Sequence, residues 1–485
     1  MPSGPDDQAF ISPAMPSRLP RPRSADWGGK ALLVCALALL MTIPGLFVWA
    51  LIKDRSDRSE GVVREVSQLQ GGAQQITGPL LVAPWTVTPT TKEGEVLTGW
   101  YLVSPDTGMA DVKVKTGTLR RGIFDVPTYK ATANLAAGFS KLKPVQGLPT
   151  GAVIDWSRAQ IVLGFSDLRG AQTDVVATLT TPSGDTRLEF TPASDVRLGR
   201  PMTPPDSDGR VQPDEDLGDY GLVSAPAAPL LAATEGGTIR TTLTLSGAQR
   251  LSVVPFAKST RVVINGDWPA PRFDGGFLPT KRDTTADRFS ADWAVPFIAR
   301  GLPDRGSTTT LSLSELGKRD LGVSFVRTNN PYQNVMRALK YAVMFIGLVF
   351  LTFFVFEALS GSRLHPAQYV LIGLAQMVFY LLLLSLSEYI GFDAGFAIAA
   401  VATVLLIGLY AGAAFKASRY RVQALVVFST VYGLIYLLMR LEDFALLAGS
   451  IAAFIGLTAG MWLTRNIEWY GGRADQTPAA PPVGN

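Results

Sequence analysis

Apolar residues gather in six uninterrupted stretches of this chain, one near the start and five in close succession after Tyr341, with a long polar segment between them. Ala31–Ile52 carries no charge over roughly 22 residues, about 33 Å as a helix, which matches the hydrocarbon core of a bilayer. The later stretches are Tyr341–Leu359, Ala367–Ser387, Ala394–Phe415, Gln423–Met439 and Phe444–Thr464, each bounded by charge, Gly or Pro. In lipid every backbone N–H and C=O must be paired within its own segment, so runs of this length predict helices. A cleaved signal peptide is the rival reading of the first stretch. Its apolar run is too long for that, Pro44 stands in mid-run, and Ala50-Leu51-Ile52-Lys53 lacks small residues at both cleavage positions. The first stretch is expected to remain as an anchor.

Between the first and second stretches the period changes. Val62, Val63, Val66 and Leu69 keep helical spacing, so the first helix should continue outward until Gly71-Gly72 stops it. Short β-branched or alternating runs then recur at Leu80–Ala83, Val96–Val103, Asp111–Thr116, Val153–Leu163, Thr173–Thr180, Ile239–Leu245, Ser259–Ile264, Thr308–Leu313 and Gly322–Val326. With turn residues between them and no helical pattern, they predict an antiparallel β-sandwich or two packed β-subdomains. The expected fold class is a membrane α-helical protein of six transmembrane helices with a large all-β extracytoplasmic (periplasmic) domain, antiparallel and sandwich-like. The expected parts are a disordered cytoplasmic tail 1–29, a first span 30–52, and a periplasmic domain 53–330 with an internal linker at 201–219. A five-helix bundle 331–470 and a disordered tail 471–485 follow. Asn330 before Pro331 reads as a helix N-cap, and Arg465–Tyr470 as an interfacial collar.

Charge sets the expected orientation. Arg18, Arg21, Arg23 and Lys30, then Arg363, then Lys416, Arg419 and Arg421, then Arg465 and Arg473 would all lie on one side. The opposite short loops carry Glu388 with Asp393, and Arg440 with Glu442 and Asp443. The positive-inside rule then places both termini in the cytoplasm and the polar domain outside. The net charge is +4 and no basic stripe is interleaved with aromatics, which excludes nucleic acid as a partner. The one cysteine, Cys35, lies in the first span, so no intramolecular disulfide can staple the outer domain.

Candidate chemistry is sparse. The only histidine, His365, sits in the turn Arg363-Leu364-His365-Pro366, without a second His or a nearby Cys, so no metal site or cofactor is expected. Turn capping is its simplest role. Glu357 and Glu388 are carboxylates beside or within spans, the positions where ionisable groups carry function by default. Both lie near an interface, where pairing with Arg363 or Lys416 would also serve. The candidate polar cluster is therefore Glu357, Arg363, His365 and Glu388. The acidic run Asp206–Asp219 fails the EF-hand spacing, because Leu217 stands where position twelve needs Glu. In the outer domain Asp267, Trp268, Phe277, Lys281 and Arg282 form the candidate binding region, with core packing the plainer role for the aromatics.

Several strings resemble the CreD family of bacterial inner-membrane proteins, also described as cell envelope integrity or colicin-tolerance proteins. They include Gly78-Pro79-Leu80-Leu81-Val82-Ala83-Pro84, Leu251-Ser252-Val253-Val254-Pro255 and Gly276-Phe277-Leu278-Pro279-Thr280-Lys281-Arg282. In the membrane part they include Lys340-Tyr341-Ala342, Phe353-Phe354-Val355-Phe356-Glu357 and Arg363-Leu364-His365-Pro366-Ala367-Gln368-Tyr369. The strings Phe379-Tyr380-Leu381-Leu382-Leu383-Leu384-Ser385-Leu386-Ser387-Glu388 and Leu463-Thr464-Arg465-Asn466-Ile467-Glu468-Trp469-Tyr470 complete the set. The resemblance runs from about Lys30 to Tyr470. It implies an inner-membrane protein of a Gram-negative bacterium, often tied to a two-component envelope response, and no catalytic residues to carry over.

Three functions are weighed. The leading one is a non-enzymatic envelope-integrity protein whose outer domain contacts a lipid, an envelope component or a protein partner. The second is a transporter or lipid-handling protein with a path near Glu357 and Glu388. The third is a membrane-bound hydrolase with a Ser–Lys or carboxylate site near Asn265–Arg282.

Overall fold

Two proline- and glycine-controlled breaks define how the chain enters and leaves its first helix. In a computed structural model, which describes residues 27–87, 97–193, 195–196, 198, 221–308, 310–325, 331–360, 362–440 and 445–465, that helix runs from Trp27 to Leu40 and resumes over Thr42–Leu69. Pro44 has no N–H to offer the Leu40 carbonyl, and its ring displaces that carbonyl, so the break falls at Met41. At the far end Gly71 and Gly72 take positive φ (+89° and +63°), and the Gly72 N–H bonds back to the Ser67 carbonyl at 2.6 Å, a glycine stop. The expected tail therefore gives way to helix already at Trp27. The stretches 1–26, 201–219 and 466–485, with the expected linker, collar and C-terminal tail, and also the cap at Asn330, lie outside the described residues.

The chain divides into two compact units. One comprises Met1–Lys53 with Pro331–Asn485, and the other Asp54–Asn330. The boundary after Lys53 falls inside the helix Thr42–Leu69.

In the first unit the helices Pro331–Lys340, Ala342–Ser360, Pro366–Ile390, Phe392–Ala414, Ser418–Arg440 and Ala445–Thr464 follow the initial helix. Among the described residues five helices are long and apolar enough to cross a bilayer, in place of the expected six. The last helix, Ala445–Thr464, carries a shorter apolar stretch at Leu447–Trp462. Aromatic rings hold the bundle. Phe353 stacks on Phe428 (5.9 Å, 18°), and Phe379 meets Tyr432 edge-on at 4.7 Å. Close backbone approach does the rest: a Cβ at Gly395 would lie 2.9 Å from the Ser387 nitrogen.

The second unit is built on two β-sheets. The ten-stranded sheet runs in the order Arg272–Gly275, Leu321–Ser324, Arg250–Val253, Gln74–Val87, Gln160–Phe165, Gly221–Pro226, Thr191–Pro192. Leu97–Val103 and Ala152–Ile154 pair with the central strand Gln74–Val87, and Arg305–Ser307 pairs with Leu97–Val103. The eight-stranded sheet runs in the order Lys281–Thr284, Phe289–Val295, Ser259–Gly266, Thr107–Arg121, Phe124–Phe139, Gly237–Ala248, Val176–Thr181, Gly184–Glu189. The sheets are mixed rather than wholly antiparallel: Gln74–Ile76 pairs in parallel with Leu251–Val253, and Ser259–Gly266 with Thr107–Val114. Both cores are filled from both sheets. Leu80 and Val82 meet Leu179 and Ile239 in one, while Ile76 and Phe165 meet Val112 and Trp293 in the other. Burial on both faces explains why Leu80–Ala83 is an unbroken apolar run.

Local chemistry redraws two predicted strands. Asp155 accepts the Ser157 N–H (3.0 Å) and breaks Val153–Leu163 into two strands around a 3₁₀ turn at Trp156–Arg158. Thr308–Leu313 is not a strand, because Ser312 caps a short helix Leu313–Gly317 by accepting from the Glu315 N–H (3.2 Å). The longest strand, Phe124–Phe139, was not predicted at all. Its inward positions include Ala131, Ala133 and Ala137, which alternate correctly but carry little β propensity.

Gly395→Val is expected to destabilise the bundle by roughly 1–3 kcal/mol through overpacking. Thermal unfolding of the full chain in detergent, compared with Gly433→Ala, whose added Cβ meets nothing within 4 Å, checks this.

Candidate functional site

A carboxylate in the last turn of an apolar helix has to find donors inside the protein or leave the membrane. Glu357, in the last turn of Ala342–Ser360, is fully buried. Its Oε1 accepts from the Lys30 ammonium and from the Leu364 N–H (3.1 Å), and its Oε2 accepts from the Tyr369 hydroxyl (3.0 Å). The Lys30 ammonium also donates to the Leu364 carbonyl at 3.0 Å. Tyr369 is held by Phe350, edge-on at 5.5 Å. One carboxylate thus ties together the initial helix, the end of Ala342–Ser360, the following turn and the start of Pro366–Ile390. The expected neutralisers, Arg363 and Lys416, are not its partners; the cation comes from Lys30, more than 300 positions earlier in the chain.

The structure does not bring the four predicted polar residues into one site. His365 caps the helix Pro366–Ile390: its Nδ1 accepts the Ala367 N–H (3.2 Å), while its own N–H donates to Gln368 Oε1 (2.8 Å). Arg363 is exposed in the same turn. Glu388 accepts from the Tyr332 hydroxyl (3.0 Å), about 28 Å along the helix from Tyr369. The long apolar helix between them keeps the two carboxylates at opposite ends, so a continuous relay joining them has no support. Arg440 pairs with Asp393 at 2.7 Å; Glu442 and Asp443 lie outside the described residues.

In the second unit the residues of the predicted binding region divide between core and surface. Trp268 packs against the core beside Phe325 (6.0 Å), with its indole N–H buried and unbonded. Phe277 packs on the same core, and its carbonyl accepts the Trp293 indole N–H (3.0 Å). Asp267 is exposed and ties its loop to the long hairpin by accepting the Thr116 N–H (2.6 Å) and hydroxyl (2.7 Å). Lys281 and Arg282 lie exposed on the edge strand Lys281–Thr284, where short length and charge discourage pairing with another sheet.

Two arginines that sequence reading passed over organise this unit. Arg250 bonds Asp320 through both terminal nitrogens (2.7 and 3.0 Å) and Asp274 through Nε (2.8 Å). Gln75 Nε2 also donates to Asp320 Oδ2 (2.6 Å), and the Ser324 hydroxyl donates to the other Asp274 oxygen, Oδ2 (2.5 Å). Burial alone would push the Arg250 guanidinium down, but Asp320 and then Asp274 outweigh it and leave it raised. The signal was an arginine opening the buried run Leu251–Val254. Arg300 is fully buried without a carboxylate in contact. It donates to Ser104 Oγ (3.0 Å) and to the carbonyls of Ala257, Leu302 and Pro303 (3.2, 3.3 and 2.5 Å), while its Nε has no partner. Burial lowers it to about 10, partly offset by Asp304. No sequence signal marked it. Among the described residues no group of three or more His, Cys, Asp or Glu side chains is placed to hold a metal ion.

Apolar helices able to cross a bilayer, carrying a large sheet-rich domain between the first and second of them, define an integral membrane protein. The family model described as Inner membrane protein CreD matches residues 27–470, and the chain belongs to that family. Inner membrane protein CreD of Escherichia coli (strain K12) is 29% identical over 449 residues, which cover 89% of this chain and 91% of that protein.

Removing either partner of the Lys30–Glu357 pair, as in Lys30→Ala or Glu357→Ala, is expected to cost roughly 3 kcal/mol, because the other charge is stranded. The double variant should lose less than the sum, and a double-mutant cycle by thermal unfolding in detergent reads the coupling. Arg300→Ala should destabilise by about 2–4 kcal/mol, since it empties a large buried volume and leaves the Ala257, Leu302 and Pro303 carbonyls short of a donor.

Proposed function

We propose that this protein is a non-enzymatic component of cell envelope integrity and of tolerance to antimicrobials such as colicins. Its two-sheet domain would lie in the periplasm and engage an envelope component, lipid or protein, while the helices anchor it. One observation supports the non-enzymatic reading above the others. The buried and half-buried carboxylates Glu357, Asp274 and Asp320 each accept bonds at both oxygens from within the protein, so none is left aimed at a reacting atom. Catalysis by one of them would need those bonds broken first.

The topology proposed with this reading has cytoplasmic termini and six crossings, the helix Ala445–Thr464 completing the sixth. An even number of crossings returns the chain to the side on which Lys and Arg flank the spans.

A strain lacking the gene should admit more of a large hydrophobic dye and tolerate colicin differently from its parent. The full chain should restore both traits, and a chain without residues 54–330 should not. Unchanged permeability and tolerance in the deletion strain would overturn the reading. Topology is read separately: in a Cys35→Ser background, a cysteine at Asp287 should react with an impermeant maleimide in intact spheroplasts, and one at Ala479 only after lysis.

A further inference from the structure

The helices Phe392–Ala414 and Ser418–Arg440 run back on each other through the turn at Phe415–Ala417. They do not close completely along their length. Between them lies a groove of about 630 Å³. Its lining includes the small residues Ala397, Ala400 and Gly433 and the larger Val401, Leu405 and Leu425. From Asp393 to Leu405 one wall is about 18 Å long, close to half of a hydrocarbon core plus its border with the headgroups. The groove opens on a face where Val401, Leu405, Val426 and Leu437 are about half exposed or more, as lipid-facing residues are. Ser429 and the buried Tyr432 are polar residues along it, and its charged group is at one end.

That end is built as a clasp. Asp393 accepts from Arg440 Nη2 (2.7 Å) and from the Tyr436 hydroxyl (3.2 Å), Arg440 Nε donates to the same hydroxyl (3.2 Å), and the guanidinium lies 5.6 Å over the Tyr436 ring. Phe396 stands against Tyr436 with ring centroids 5.3 Å apart, so the aromatic pair joins clasp to groove. The two charged side chains remain 53% and 51% exposed, so both can still take an outside partner. Helix ends favour the arrangement: Asp393 is in the first turn of its helix and Arg440 in the last turn of its own.

An apolar trough one leaflet deep, with a cation and an anion side by side at its mouth, has the pattern of a single zwitterionic phospholipid. A hydrocarbon chain gains little by moving from bilayer to groove, because both are apolar. Selection must therefore come from the headgroup. A phosphate would meet Arg440 and an ammonium would meet Asp393, each as a charge-assisted hydrogen bond. An anionic headgroup without an ammonium would meet Asp393 with like charge only. We propose that this groove holds one acyl chain of a phospholipid with a primary ammonium headgroup, phosphatidylethanolamine, clamped by Asp393 and Arg440. The assignment is independent of the envelope role proposed above and concerns the membrane unit alone.

The full-length protein is taken from nanodiscs of equal phosphatidylethanolamine and phosphatidylglycerol into native mass spectrometry, and retained lipid is counted. Wild type should keep phosphatidylethanolamine about tenfold over phosphatidylglycerol, as one or two charge-assisted bonds predict. Gly433→Leu should lose that adduct; Gly433 lines the groove and a Cβ there meets nothing within 4 Å, so the larger side chain is expected to occupy lipid space. Asp393→Asn combined with Arg440→Gln should abolish the headgroup preference while leaving the groove open to either lipid. Equal adducts in wild type and in a Gly433→Leu protein of unchanged circular dichroism would overturn the proposal. Equal retention of both lipids by wild type would overturn it as well.

Discussion

A charge in a bilayer has to be paired, and the pairing of Lys30 with Glu357 is the constraint on which the membrane unit depends. The cation sits in the first helix and the anion in the last turn of Ala342–Ser360, so satisfying one carboxylate joins the two stretches of sequence that make up the membrane unit. Tyr369 and the Leu364 N–H complete the anion's coordination. The turn through His365 is held in register by the same group and by its own capping box. Hydrophobicity alone would not choose among arrangements of equally apolar helices; a single buried ion pair with all its bonds made does.

The sheet-rich unit meets a different constraint. Cys35 stands alone in the first span, so this unit has no covalent staple and relies on core area. Its two sheets meet through cores that each draw on both of them, and the central strand Gln74–Val87 is apolar almost throughout because neither face sees water. Arg250 and Arg300 show two ways to bury a guanidinium. Arg250 recruits two carboxylates, whereas Arg300 leans on carbonyls and is driven downward by desolvation. The same logic explains why Lys281 and Arg282 stand on a sheet edge: outward charge there prevents pairing with a second molecule.

The two units therefore divide the chemistry of the chain. In the membrane unit Glu357 is consumed in fastening helices, whereas at the mouth of the groove between Phe392–Ala414 and Ser418–Arg440 an ion pair stays half exposed. In the sheet-rich unit the polar network of Arg250, Asp274 and Asp320 is closed on itself.

Much of this was readable from the chain before folding. Apolar length predicted the membrane helices, Gly71-Gly72 the end of the first, and β-branched alternation about half of the strands in the sheet-rich unit, because each is a local property of consecutive residues. The capping role of His365 was legible for the same reason. Fidelity failed where partners are distant or side chains small. The alanine-lined strand Phe124–Phe139 carries its alternation in residues of weak β preference, and the Ser312 cap overrode an apparent strand. Glu357 was marked by its place in an apolar helix, but Lys30, Arg250 with its two aspartates, and the Asp393–Arg440 clasp were decided only by tertiary structure. Periodicity records which face of an element turns inward; which charge waits there is set by segments tens or hundreds of residues away.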